Sequence, residues 1–137
     1  MNLVDRFQVG VSETMTIPVS QAMSDAFREL SGDDAPLHTD EGFARAKGFD
    51  GRLVHGALVV SLLSRMIGTR FPGPRCLWLK CDISFRNPCY APSQLRFHGV
   101  VTQQSEATGS VALKFDITDD RDREIATAKT LHKVLEP

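Results

Sequence analysis

Hydrophobic and polar positions along this chain follow two rhythms. In the first half apolar residues recur every three or four positions, and in the second half they alternate. That division predicts an α+β fold, with helices before a sheet, in place of a βαβ alternation. A short strand is expected over about residues 13–18. Ser20 is placed to cap a helix with Met23, Phe27 and Leu30 on one face, and Gly32 to end it. The stretch from Asp33 to His38 contains Pro36 and cannot continue that helix regularly. Thr39 or Asp40 then caps a second short helix carrying Phe43 and Ala44, closed by Gly48. A third helix, about residues 55–68, has no charge before Arg65 and is apolar almost all round, so it must be covered on most sides. Pro72-Gly73-Pro74 blocks its restart.

Four strand-like segments follow. Leu79, Cys81, Ile83 and Phe85 alternate with polar neighbours, as do Leu95, Phe97, Gly99 and Val101, and then Val111, Leu113, Phe115 and Ile117. A weaker period of two runs from Ile125 to Leu135, and residues 105–109 and 119–122 read as hairpin turns. Sequential antiparallel strands with one apolar face need a cover, and the buried helix is the candidate.

Composition narrows the function classes. The 137 residues suit one domain, and 42% hydrophobic with 24% charged residues is ordinary for a soluble globular protein. A formal net charge of −1 gives no basic field for nucleic acid. No segment approaches the ~20 apolar residues that span a bilayer, and residues 1–10 lack the apolar run of a signal peptide, so no membrane partner and a cytoplasmic location are expected. Cys76, Cys81 and Cys89 form an odd set without a Cys-x-x-Cys pair, which argues against zinc and against a disulfide framework.

The chemistry concentrates in Ser31-Gly32-Asp33-Asp34-Ala35-Pro36-Leu37-His38. Asp33 and His38 flank a proline-stiffened turn that can aim a carboxylate and an imidazole at one small volume, a pairing suited to proton transfer. On spacing alone the pair reads equally as a capping aspartate beside a surface histidine. His98 and His132 have no second ligand at useful spacing and read as surface or satisfied residues, and Trp78 as core or as pocket lining.

Three segments in register resemble the MaoC-like hydratase/dehydratase family, which includes R-specific enoyl-CoA hydratases. They are residues 31–40 with Phe43-Ala44, residues 54–64 beginning Val54-His55-Gly56, and Phe71-Pro72-Gly73-Pro74 with Phe85 and Pro88 downstream. The resemblance implies a single hot-dog domain over residues 1–137, with a curved antiparallel sheet wrapped around the long helix. It implies an (R)-specific enoyl thioester hydratase or 3-hydroxyacyl thioester dehydratase, a hydro-lyase with no cofactor and no metal. Its substrate would be carried on coenzyme A or acyl carrier protein. The family's catalytic pair falls on Asp33 and His38, its oxyanion donor on the backbone N–H of Gly56, and a supporting serine on Ser64, where a hydroxyl bonded back to its own helix is the alternative. His55 matches a family position and reads as structural. Ala35 stands where the family has asparagine, which removes an amide that could order the loop. The rival readings are a hot-dog acyl thioesterase and a non-catalytic acyl-thioester-binding protein. A homodimer is expected, because one small sheet around one helix leaves an edge strand and one helix side uncovered.

Overall fold

In the computed structural model, which describes residues 3–135, a 3-10 turn (Leu3–Arg6) leads into strand β1 (Ser12–Val19). Residues 1–2 and 136–137, the ends of the expected domain, lie outside the described residues. Helix α1 (Gln21–Ser31) begins where Ser20 Oγ accepts the Met23 N–H at 3.1 Å. It ends at Gly32, whose φ of 74° suits a residue without a side chain and whose N–H donates to the Arg28 carbonyl. Met23 and Phe27 pack on the core, but Leu30, expected beside them, is 84% exposed. The last turn of α1 runs past the core, so periodicity placed the right face over nothing.

Pro36 does not lie in an irregular turn. It occupies the first position of a one-turn helix, α2 (Pro36–Thr39), where a missing N–H costs nothing. Asp40, not Thr39, caps α3 (Glu41–Ala46), its carboxylate accepting the Phe43 N–H at 3.0 Å. Helix α4 (Gly56–Thr69) buries Leu58, Val59, Leu62, Leu63, Met66 and Ile67, a stripe repeating every four residues. Its other side exposes Ala57, Ser61, Ser64 and Gly68. The helix is therefore covered along one broad face, and its uncovered face is small and polar rather than apolar all round.

The remaining strands are β2 (Cys76–Phe85), β3 (Ser93–Ser105), β4 (Ser110–Thr118) and β5 (Glu124–Val134). One antiparallel sheet takes the order β1-β3-β4-β5-β2, with the predicted hairpins joining β3 to β4 and β4 to β5. Strand β2 crosses to the far edge, beside β5. One inward row of cross-strand neighbours runs over all five strands: Met15, Phe97, Ile117, Ala126 and Phe85. A register shift between Trp78 and Lys80 interrupts β2, so Leu79 leaves the predicted alternation and is exposed. The sheet curves around α4, the hot-dog arrangement expected from the resemblance.

His132 is neither on the surface nor fully satisfied. It is completely buried on the inner face of β5, stacked near Trp78, with Nε2 2.7 Å from Thr130 Oγ1 and Nδ1 without a hydrogen-bond partner. Burial lowers its pKa from 6.5 to about 4. The unfolded chain thus takes up a proton that the folded chain refuses between those values. The stability from this residue is whole above pH 6.5 and lost as pH falls to about 4, a loss of roughly 3 kcal/mol. Denaturant titrations from pH 7 to pH 4 should show that loss, and His132→Leu should flatten it.

Candidate active site

The reversal at Gly32 starts the site. Beyond it the Asp33 N–H donates to Ser31 Oγ at 3.1 Å, and Asp33 Oδ1 accepts the Ala35 N–H at 3.1 Å, an Asx turn closed by the functional side chain itself. Thr39 Oγ1 lies 3.2 Å from the carbonyls of both Asp34 and Ala35, and the Arg28 guanidinium binds the Asp34 carboxylate at 2.6 Å, which raises the Arg28 pKa. These contacts order the loop without an asparagine amide at position 35. The second carboxylate oxygen of Asp33 has no hydrogen-bond partner among the described residues, and the residue is exposed.

Helix α2 then carries His38 back beside Asp33. Its Nδ1 lies 2.9 Å from the Leu53 carbonyl, and a carbonyl can only accept. Nδ1 therefore carries the hydrogen, and Nε2 keeps a free lone pair. His55, just before α4, stacks on this ring with centroids 4.0 Å apart and planes 23° apart, and its Nε2 donates to the Asp33 carbonyl at 2.9 Å. A carboxylate oxygen of Asp33 and one ring nitrogen from each histidine all lie within 4.8 Å of one another. One nitrogen of each ring is already engaged by a carbonyl. Carboxylate and imidazole are both groups that can accept or give up a proton.

Gly56 opens α4, and its N–H donates to no acceptor among the described residues. Gly56 lines a cleft of about 300 Å³ whose walls include His38, Val59, Phe85, Cys89 and Ile125, with Asp33 reaching it only through His38. A side chain at position 56 would start 3.0 Å from Phe85 Cζ, so glycine is what lets that ring and the helix end meet. A free amide at the positive end of a 14-residue helix is suited to an oxygen gaining negative charge. Cys89 supplies bulk rather than a nucleophile, because burial pushes its thiol up to about 11. A polar cavity of about 330 Å³ beside Arg52, Tyr90 and Asp119 contains neither Asp33 nor His38.

Ser64 stands apart from this group. It lies eight residues along α4 from Gly56, about 12 Å of axial rise. It is exposed, its hydroxyl makes no hydrogen bond among the described residues and it does not line the cleft, so among those residues neither the expected support of the aspartate nor a bond back to its own helix is present. Sequence reading had assigned His55 to structure alone, yet it touches both members of the pair. The signal available was a polar ring between Val54 and a helix-opening glycine. Phe85 and Cys89 were likewise not foreseen as cleft walls, since only folding brings β2 and the following loop to the start of α4.

Comparison with known proteins identifies the family and the fold. The family model described as MaoC like domain matches residues 6–120. A 3-hydroxybutyryl-CoA dehydratase of Methylorubrum extorquens is 35% identical over 81 residues, which cover 59% of this chain and 52% of the relative. The (R)-specific enoyl-CoA hydratase of Aeromonas caviae is 32% identical over 99 residues, 72% of this chain and 74% of that protein. The solved structure of the (R)-hydratase from A. caviae involved in PHA biosynthesis superposes with a TM-score of 0.87 at 28% identity, covering 93% of this chain and 97% of that one. Against two of the curated relatives the chain spans about half the length or less, 52% and 41%.

The loop contacts make a direct test. Thr39→Val should cost about 1 kcal/mol of stability by freeing two carbonyls. It should also speed hydrogen exchange at the Ala35 amide, measured by NMR. Unchanged exchange would mean that Thr39 does not hold the turn.

Proposed function

The chain belongs to the MaoC-like domain family, and from that premise we propose that it hydrates trans-2-enoyl thioesters to (R)-3-hydroxyacyl thioesters and catalyses the reverse dehydration. The observation that supports this reading is that His38 belongs to both groups: its ring lies within 4.8 Å of an Asp33 carboxylate oxygen, and it lines the cleft that Gly56 also lines, Gly56 N–H having no acceptor among the described residues.

The thioester carbonyl accepts the Gly56 N–H, which favours charge on its oxygen and so polarises the neighbouring double bond. In this reading the attacking water is held between the Asp33 carboxylate and Nε2 of His38. Asp33 takes one of its protons as the water oxygen bonds to Cβ. His38 Nε2 accepts the other O–H as a hydrogen bond and orients the attack. The enolate electrons return to Cα, which collects the proton from Asp33. Water is thus divided between two carbons on one face, and the carboxylate ends as it began. A cleft of about 300 Å³ sits at the small end of ligand pockets, which suits a short acyl group with its carrier outside.

Two copies of the chain complete the assembly in this reading. Edge strand β2 leaves Leu77 53% exposed, with Leu79 and Phe85 also uncovered, beside the bare face of α4. Among the described residues no helix is long and apolar enough to cross a membrane, and three free thiols fit a reducing compartment such as the cytoplasm.

Purified protein should change the enoyl absorbance of crotonyl-CoA, and Asp33→Asn and His38→Ala should each lower kcat by about 10²-fold or more with circular dichroism unchanged. Full turnover by folded Asp33→Asn would refute the mechanism, and release of free thiol with an intact double bond would identify a thioesterase. Sedimentation at low micromolar concentration should give a dimer, shifted toward monomer by Leu77→Asp. A wild-type monomer would remove the pairing.

A further inference from the structure

We infer that His55 is a positioning residue for the proposed reaction: it fixes the backbone of Asp33 and the ring of His38 against the same helix end that presents the Gly56 amide. The inference rests on the hydratase reading and deepens it.

Packing alone does not account for an imidazole at this place. His55 is 2% exposed, so its polar atoms have left water. Nδ1 finds no partner, a penalty of about 1–3 kcal/mol that an apolar side chain of similar size would avoid. Histidine as an ordinary helix cap is also excluded, because its side chain makes no cap hydrogen bond to α4. What the ring does make is the bond from Nε2 to the Asp33 carbonyl at 2.9 Å, across 22 residues of sequence, and the 4.0 Å stack on His38. Phe27 closes on the same ring at 5.1 Å and limits its rotation.

Each contact restrains a different reactant group. The carbonyl of Asp33 sits on the peptide that follows its Cα, so holding it fixes the direction in which the carboxylate leaves the chain. His38 is held at one ring nitrogen by Leu53, which leaves rotation about that hydrogen bond free, and the face of His55 removes that freedom. Because Gly56 is the next residue, the water-holding pair and the oxyanion donor are tied through one side chain. A displacement near 1 Å at such a site can cost about 10²-fold in rate without weakening substrate binding.

Two substitutions separate the contacts. Glutamine places an amide N–H near the position of Nε2 and lacks the ring, whereas phenylalanine keeps the ring face and lacks the donor. His55→Phe should fold and lower kcat about 100-fold with KM and the affinity for butyryl-CoA, a saturated analogue, changed less than about threefold. His55→Gln should recover at least a tenth of wild-type kcat. Wild-type kcat in folded His55→Phe overturns the inference. So does a loss shared equally by both variants in step with a lowered melting temperature, or failure of both to fold, since His55 would then be a packing residue. Inactive wild-type protein would instead refute the hydratase reading, a fully active Asp33→Asn variant in the same assay would refute its mechanism, and this inference falls with either.

Discussion

The burial of one side of α4 against the concave face of the sheet organises everything else in this protein. Leu58, Val59, Leu62, Leu63, Met66 and Ile67 meet inward residues from every strand, and fully burying such side chains contributes roughly 1.5–3 kcal/mol each. Because that stripe repeats every four residues, only one rotation of the helix about its axis satisfies it. The rotation sets where the first turn ends and hence where the free amide of Gly56 points. A hydrophobic constraint thereby aims a polar group.

The loop that carries Asp33 and His38 is attached to that fixed point by polar contacts instead. Main-chain carbonyls do most of the holding: Leu53 for His38, Asp33 for His55, Asp34 and Ala35 for Thr39. Carbonyls are available whatever the side chain, which explains why an alanine at position 35 leaves the turn intact. The same contacts set the ring nitrogens. A carbonyl partner puts a hydrogen on Nδ1 of His38, so in the neutral ring the opposite nitrogen is the acceptor and the tautomer follows from backbone geometry.

Much of this was legible in the chain. The cap at Ser20, the turn at Gly32, the extent of α4 and the two hairpins all announce themselves locally, because each depends on residues within a few positions. The meeting of Asp33 with His38 was legible for the same reason, with Pro36 between them. What escaped depends on distant partners. Leu30 has the right period, but whether the core reaches that far depends on the length of the sheet. Leu79 looked like the start of an alternation because a one-residue register shift leaves no mark in composition. His132 carried a usable signal, since Ala126, Ala128, Thr130, His132 and Val134 occupy one face of β5, yet a single histidine is commonly solvated and so read as surface. His55 needed the loop and helix brought together before its purpose could be seen.

The row of side chains that crosses the sheet ends at Phe85, whose ring rests on Gly56 and is still 50% exposed. One aromatic is thus both the rim of the cleft and part of the open edge of the sheet. In the proposed dimer a second copy docked along that edge would press this wall of the cleft into place, and dilution would loosen it. Specific activity would then be a function of protein concentration, and a rate assay would double as a thermometer of association.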